Sequence, residues 1–154
     1  MIHFVKGDIL KSDAEFLVVP VDCIGMMNRG LALRFRKKYP NTFHRYQEAC
    51  QSKDISKKLY VGKILPIIER DKNIICFPVK TEPKFPPRLG YIEDGMKKLI
   101  QFMLVFHVKS IALPRLAYGG KYGLRWSDVK DAMLRHFAKI PEEVEIYIYQ
   151  GGGK

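Results

Sequence analysis

The sequence predicts an α/β domain in which helices cover both faces of a mixed or mostly parallel sheet. Short apolar runs alternate with longer segments in which apolar residues recur at spacings of three and four. The run Phe16–Val21, FLVVPV, is apolar throughout, which is typical of a strand buried on both faces. At 154 residues the chain has the length of one domain. We therefore expect a single domain over residues 1–150 and a flexible tail, Gly-Gly-Gly-Lys, at 151–154.

Each secondary-structure element is predicted from a local pattern. The predicted strands are residues 1–6, 16–21, 63–68, 73–77, 110–113 and 144–149. The predicted helices are residues 30–39, 42–51, 89–106 and 126–139. The third helix is the clearest, because its apolar residues form one stripe, and Pro40 is expected to end the first helix. In such a fold, ligands bind beyond the carboxyl ends of the strands, so chemistry is expected in the loops that follow strands.

The charge balance is strongly basic. Lys and Arg number 27 against 16 Asp and Glu, a net charge of +11, which favours polyanionic partners. Six cations with no intervening acid lie between residues 29 and 45: Arg29, Arg34, Arg36, Lys37, Lys38 and Arg45. This basic patch predicts contact with a nucleic acid. The alternative is a small basic protein without such a partner.

The remaining composition excludes several classes of protein. Cys23, Cys50 and Cys76 lie far apart in the sequence, and the four histidines are scattered, so we predict free thiols and no metal site. The N-terminus has no secretory pattern, and no apolar run is long enough to span a membrane. We expect a cytoplasmic protein of a bacterium or of a virus-infected cell, with no membrane partner. The oligomeric state stays open.

The first loop of interest is Gly7-Asp8-Ile9-Leu10, after the opening strand. A carboxylate at Asp8 can accept a hydrogen bond from an exocyclic amine such as that of adenine, and Ile9 would lie beside it. The alternative is a simple turn capped by the Asp.

The second loop joins the buried strand to the first helix. Gly25 and Gly30 permit close backbone approach, and the helix start offers free N–H groups and the positive end of a dipole. This combination predicts phosphate binding. The residues expected to contact the ligand are Cys23, Ile24, Gly25, Met26, Met27, Asn28, Arg29 and Gly30.

The third loop follows the strand at 110–113 and is rich in glycine and tyrosine. Glycines supply N–H donors and tyrosines supply rings and hydroxyls, so the loop is expected to close over a ligand. Two phosphate-binding loops on adjacent strands would suit a diphosphate. The predicted contacts are Leu116, Ala117, Tyr118, Gly119, Gly120, Lys121, Tyr122 and Gly123.

The fourth loop holds Lys80, just past the strand at 73–77. A lysine amine can attack a sugar aldehyde carbon and form a Schiff base if neighbouring groups lower its pKa. The alternative is a solvated lysine in a lysine-rich chain.

Together these loops resemble the macrodomain family, a three-layer α/β/α fold around a mixed sheet. The match is closest to the macrodomain antitoxins that remove ADP-ribose from thymidine in DNA and to the terminal ADP-ribose glycohydrolases. Residues 7–10 are similar to the family's GD motif, whose Asp holds adenine, and residues 23–35 to the pattern C-V-G-V-M-G-K-G-I-A-x-x-F. Residues 77–80, Phe-Pro-Val-Lys, resemble F-P-T-K, whose lysine is catalytic. Residues 110–114 and 123–126 look like S-I-A-x-P and G-L-x-W.

The chain departs from this branch at four positions. Asp22 stands where the branch has an Asn that contacts the distal ribose, and it is expected to orient the ribose or act as a base. Asn28 and Ala117 replace glycines. Tyr122 occupies the position of the Asp that resolves the lysine adduct in the terminal glycohydrolases.

Three hypotheses follow. In the first, the chain is an ADP-ribosylglycohydrolase that uses no cofactor, with Lys80 acting at C1 of the distal ribose as nucleophile or electrostatic stabiliser and Asp22 assisting. DNA is then the expected target, and a toxin partner is open. In the second, the pocket binds ADP-ribose or a related nucleotide without turnover, or processes ADP-ribose 1″-phosphate. In the third, the chain is a basic nucleic-acid-binding domain.

Overall fold

A mixed sheet forms the middle layer of the computed structural model, which describes residues 1–119 and 121–152. Its six strands within those ranges run in the order β1-β6-β5-β2-β4-β3. Their bounds are β1 Ile2–Gly7, β2 Phe16–Val21, β3 Leu65–Ile68, β4 Asn73–Pro78, β5 Ser110–Pro114 and β6 Glu145–Gly152. All neighbours pair in parallel except β3, which is antiparallel to β4. The predicted mixed sheet is confirmed.

Helices cover both faces of the sheet and bury two separate cores. Helices α1, Gly30–Lys38, and α2, Pro40–Gln51, pack on one face, and α3, Leu89–Val105, and α4, Trp126–Phe137, on the other. The predicted run Phe16–Val21 shows why both faces must be covered. Val18 packs in the core under α3 and α4, whereas Leu17 and Val19 pack in the core under α1 and α2. Each side of β2 therefore removes apolar surface from water.

The observed elements match the predicted ones closely, and the differences lie at their ends. Pro40 begins α2, because a proline at the first helical position lacks only an N–H that would be unpaired there. A single 3₁₀ turn, Ile9–Lys11, was not predicted. Strand β6 continues past the predicted domain boundary to Gly152, which pairs with Gly7. Two residues of the predicted tail therefore belong to the sheet, and residues 153–154 lie outside the described residues.

The parallel strands bring their following loops to one edge of the sheet. The carboxyl ends of β1, β2, β4, β5 and β6 all point to this edge. The loops that the sequence singles out thus converge there. Within residues 1–119 and 121–152, no helix has both the length and the apolar character that crossing a bilayer requires.

Helix α3 packs very closely on the end of β4. A Cβ built on Gly95 would lie 2.8 Å from Cε1 of Phe77, inside the contact distance of real side chains. Both residues are buried. Gly95 therefore allows the helix to rest against the Phe77 ring, three residues before Lys80.

Candidate functional site

A cavity of about 930 Å³ opens at the carboxyl edge of the sheet. The loops after β1, β2, β4 and β5 contribute to it, and so does the carboxyl-terminal part of β6. Its cationic lining residues are Arg29, Arg34, Lys80, Arg115 and Lys121, and among the described residues no Asp or Glu lines it. Five cations with no carboxylate among the lining residues of one cleft create a positive potential that attracts anions, although Asp8 outside the lining pairs with Arg34. The cavity is thus built for a ligand that carries several negative charges.

The amino end of α1 adds further positive potential. Gly30, Leu31 and Ala32, the first turn of the helix, line the cavity. Arg29 at the N-cap makes no side-chain capping bond, and the first turn holds no acidic residue. The first-turn N–H groups and the helix dipole therefore favour an anion at this position.

The loop after β5 forms another part of the cavity wall. The Leu124 N–H donates to the Ala117 carbonyl oxygen at 2.9 Å and closes the loop. A Cβ on Gly123 would meet the backbone of Gly119, so glycine is required there. Ala117 has a φ of +55°, a left-handed conformation that costs an L-residue about 1–2 kcal/mol. Ala117 stands where the resembling branch has glycine, so this chain retains the backbone shape at a cost in stability.

Ala117→Gly should therefore raise the free energy of unfolding by about 0.5–1 kcal/mol, because glycine adopts a positive φ without strain. Chemical denaturation measures the change. Ala138→Gly is the matched control: Ala138 is exposed with a φ of −60°, and the added backbone freedom should make that variant no more stable than the original. Equal effects at the two positions would contradict the assignment of strain to Ala117.

Asp8 and Arg34 form an ion pair at the β1 end of the cavity. Arg34 Nη2 donates to Asp8 Oδ2 at 2.6 Å, and the Leu10 N–H donates to Oδ1 at 3.0 Å. Burial acts to raise the pKa of Asp8, but the Arg34 and Leu10 hydrogen bonds outweigh it, so the pKa lies below its ordinary value. Among the described residues, Arg34 Nη1 is a buried nitrogen that no protein atom satisfies. A ligand acceptor placed there would remove the cost of an unpaired donor.

Lys80 lies where the loop after β4 meets the loop after β2. The Val79 N–H donates to Val21 O at 2.9 Å, and the Cys23 N–H donates to Thr81 O at 3.0 Å. These bonds continue the pairing of β2 with β4 on both sides of Lys80. Lys80 Nζ donates to the Pro83 carbonyl at 3.3 Å and lines the cavity. Lys80 therefore lies at the cavity wall on a backbone that β2 and β4 hold in place.

Asp22 is used within its own loop. Its Oδ1 accepts from the Ile24 N–H at 3.1 Å and from the Tyr46 hydroxyl at 2.8 Å. Tyr46 is buried, and burial together with the Asp22 charge raises the pKa of its hydroxyl, which stays a donor. Burial and the same charge raise the pKa of the Cys23 thiol to about 11, so Cys23 is no thiolate nucleophile at neutral pH.

Residues 18–133 match the family model described as Macro domain. The chain belongs to the macrodomain family. It is 34% identical to the DNA ADP-ribosyl glycohydrolase of Mycobacterium tuberculosis, covering 100% of this chain and 44% of that protein. The solved macrodomain of Mycobacterium tuberculosis DarG is 35% identical, with a TM-score of 0.88 and 97% of both chains covered. Thermosipho africanus DarTG in complex with ADP-ribose is 28% identical, with a TM-score of 0.82 over 96% of this chain and 41% of that one.

This macrodomain spans less than half the length of the curated relatives it matches. The predicted family resemblance and the predicted three-layer α/β/α macrodomain fold are confirmed.

The macrodomain cavity gathers part of the predicted site. Ten predicted residues line it: Ile9, Arg29, Gly30, Lys80, Ala117, Tyr118, Gly119, Lys121, Tyr122 and Gly123. Others lie outside its lining: Asp8, Asp22, Cys23, Ile24, Gly25, Met26, Met27, Asn28 and Leu116. Met27 and Leu116 are buried in the protein, and Asp8 reaches the cavity through Arg34. Gly120 lies outside the described residues. The direct roles expected for Asp22 and for residues 23–28 stay predictions.

The predicted basic patch is not one open surface. Arg34 points into the cavity and pairs with Asp8. Arg36 donates to the Met26 carbonyl and lies over the Phe43 ring, and Lys38 donates to the Leu10 carbonyl. A count of charges could not show that Arg36 and Lys38 are held in this way, because their partners are backbone oxygens and a ring.

Sequence reasoning missed several lining residues of the macrodomain cavity. Tyr149 and Gly151 end β6, and Arg115 follows β5. All three could have been predicted, because each lies at or just after the carboxyl end of a parallel strand. Gly151 leaves room for the Arg115 guanidinium, whose Nη2 would lie 2.9 Å from a Cβ at that position. No group of three or more potential metal ligands was found in the described part of the chain.

Proposed function

We propose that this macrodomain binds ADP-ribose and hydrolyses the bond that joins it to a base of DNA. The observation that carries the proposal is the cavity with five cations and no described carboxylate, at whose wall Lys80 lies. A diphosphate needs such a cleft, and a glycosidic bond needs a group acting at C1 of the ribose. The activity for which the Mycobacterium tuberculosis relative is named supports DNA as the target.

The ligand would lie along the cavity with its diphosphate between α1 and the loop after β5. The first turn of α1 and the glycines at 119 and 123 all line the cavity. Adenine would lie at the Asp8–Arg34 pair, where the Asp8 carboxylate would accept from its amine. The distal ribose then reaches Lys80.

In the proposed reaction, the Lys80 amine attacks C1 of the distal ribose. The bond between C1 and the base breaks, and the base leaves with the electron pair and takes up a proton. The ribose ring opens as the nitrogen forms a Schiff base with C1 and its proton passes to the ring oxygen. Water then adds to C1, and Lys80 leaves as the amine, which releases ADP-ribose.

The proposed substrate implies a reaction that makes it. ADP-ribosylated DNA is the product of an ADP-ribosyl transferase. We therefore propose that a transferase of this kind supplies the substrate of this macrodomain. A cytoplasmic setting for both is supported by the free thiols Cys23, Cys50 and Cys76.

A second function, binding without turnover, is favoured by one observation. No described carboxylate lines the cavity, and Asp22, the expected assistant, accepts bonds from Ile24 and Tyr46. A hydrolase without a carboxylate in its cavity lining must use another group to activate the attacking water.

A panel assay separates the two functions. Calorimetry should show ADP-ribose binding, and release of ADP-ribose should be measured from modified DNA, from Glu-linked and Arg-linked protein, and from ADP-ribose 1″-phosphate. We expect turnover on the DNA substrate. Binding without release from any substrate would leave only the binding module, and absence of binding would contradict both functions.

A further inference from the structure

Two exposed aromatic side chains line the same cavity as Lys80. Phe85 is 49% exposed and Tyr122 is 59% exposed, and both line the cavity. Phe85 belongs to the loop after β4 and Tyr122 to the loop after β5. Large rings left in water at a cleft are typical of a surface that a ligand covers.

Local hydrogen bonds hold Phe85 close to the lysine. The Phe85 N–H donates to the Glu82 carbonyl at 3.1 Å, so the chain turns back on itself after β4. Lys80 Nζ contacts the carbonyl of Pro83 in the same turn. Phe85 therefore belongs to the same turn as the carbonyl that the Lys80 amine contacts.

The position of Tyr122 is set by the closed loop after β5. The bond from Leu124 to Ala117 joins the two ends of this loop, and Gly123 packs on the backbone of Gly119. Tyr122 directly precedes Gly123 in this loop and lines the same cavity.

ADP-ribose itself does not account for these rings. Its one flat base is adenine, which the proposed function places at the Asp8–Arg34 pair, away from Lys80. The group that meets Phe85 and Tyr122 is consequently the target joined to C1. Next to an ADP-ribosylated amino acid, few flanking residues carry a flat ring. In a nucleic acid, every flanking nucleotide carries a flat base.

Each ring has a cation beside it. Lys84 Nζ lies 5.5 Å from the centre of the Phe85 ring, and Lys121 Nζ lies 5.5 Å from the centre of the Tyr122 ring. Both lysines are exposed. Aromatic faces that stack bases, together with cations that contact phosphates, are the two parts of a surface for unpaired nucleotides.

We propose that Phe85 and Tyr122 are stacking platforms for the bases next to the modified nucleotide, and that Lys84 and Lys121 contact the phosphates between them. We call these four residues the aromatic rim. The inference rests on the proposed function and extends it, because it assigns recognition of the flanking nucleotides to named residues.

The test compares two substrates: a single-stranded oligonucleotide with one ADP-ribosylated base, and the ADP-ribosylated mononucleoside. Phe85→Ala and Tyr122→Ala should each lower kcat/KM on the oligonucleotide by about 5- to 150-fold, the range expected for losing one stacked base. On the mononucleoside, the loss in kcat/KM should be at least about 5-fold smaller than on the oligonucleotide, because a mononucleoside has no flanking base to stack on either ring. Tyr122→Phe keeps the ring and should retain the oligonucleotide rate.

Phe106→Ala is the matched control. Phe106 is 64% exposed but follows α3 at the opposite edge of the sheet, so its loss should leave both substrates unaffected. Equal losses on the two substrates would overturn the inference, since the rings would then act on ADP-ribose. Unchanged oligonucleotide rates in both variants would overturn it as well.

A binding measurement keeps the inference separate from the proposed function. An unmodified single strand containing the fluorescent base 2-aminopurine is titrated with the protein in the presence of ADP-ribose. Wild-type protein should change the fluorescence through stacking, and the Phe85→Ala, Tyr122→Ala double variant should not. If no modified DNA is hydrolysed but this difference is seen, the proposed function fails and the aromatic rim stands. If hydrolysis occurs and the double variant binds like wild type, only the inference fails.

Discussion

Lys80→Ala should lower kcat for release of ADP-ribose from modified DNA by at least about 100-fold, the lower end of what a positioned catalytic group contributes. The Kd for ADP-ribose should rise by less than about 5-fold, because Arg29, Arg115 and the α1 amino end still attract the diphosphate. Single-turnover kinetics and calorimetry measure the two quantities separately.

Lys80→Arg distinguishes the two roles that a lysine can have at C1. Arginine keeps the positive charge but stays protonated and cannot form a Schiff base. If Lys80 is the nucleophile, Lys80→Arg should be as inactive as Lys80→Ala, and borohydride should trap a covalent ADP-ribose adduct on wild-type protein only. Activity in Lys80→Arg without an adduct in the wild type would assign electrostatic stabilisation instead.

Lys139→Ala is the control for the lost charge. Lys139 is exposed and follows α4 at the opposite edge of the sheet, so the net charge falls equally while the cavity is unchanged. Its kcat should equal that of wild type. A Lys80→Ala protein with undiminished turnover would remove Lys80 from the mechanism.

Gly95→Ala should destabilise the fold by about 2 kcal/mol. The added methyl group would lie inside the contact distance of three Phe77 ring atoms, and a fully buried ring has no space into which to move. Overpacking of this kind costs about 1–3 kcal/mol and outweighs the gain in helix propensity. Denaturant unfolding measures the loss. Because Phe77 precedes Lys80 in the same segment, kcat should fall in this variant as well.

Gly90→Ala is the matched control in the same helix. A Cβ on Gly90 meets no atom within 4 Å, so only the helix propensity changes. That variant should be as stable as wild type or more stable by up to about 1 kcal/mol. If Gly95→Ala were equally harmless, α3 would not rest on Phe77 as the structure has it.

The layered fold follows from patterns that are local in the sequence. The apolar run Phe16–Val21 requires two covered faces, and the stripe in α3 supplies one cover. These patterns work because burial of a strand or helix face depends on side chains two, three or four positions apart. The ends of β6 and α2 were less predictable, because they depend on Gly7 as a pairing partner and on Pro40 as a first helical residue.

The candidate site was predictable only in outline. The rule that ligands bind at the carboxyl ends of parallel strands selects the loops around Lys80 and Ala117. It does not say which cations in a basic chain face the cleft. Arg34 pairs with Asp8 across 26 positions of sequence, and Arg115 lies over the Tyr118 ring at 3.7 Å. Such contacts depend on how distant loops pack, which composition and spacing do not contain.

Local patterns in the sequence were enough to predict an α/β domain, its resemblance to the macrodomains and the place of Lys80 just past a strand end. The folded structure was needed to show that five cations share one cavity, that Tyr46 donates to Asp22, and that Phe85 and Tyr122 line the same cavity as Lys80. This difference arises because strand and helix formation depends on neighbours along the chain, whereas the charge, shape and aromatic lining of a cleft depend on residues that only folding brings together.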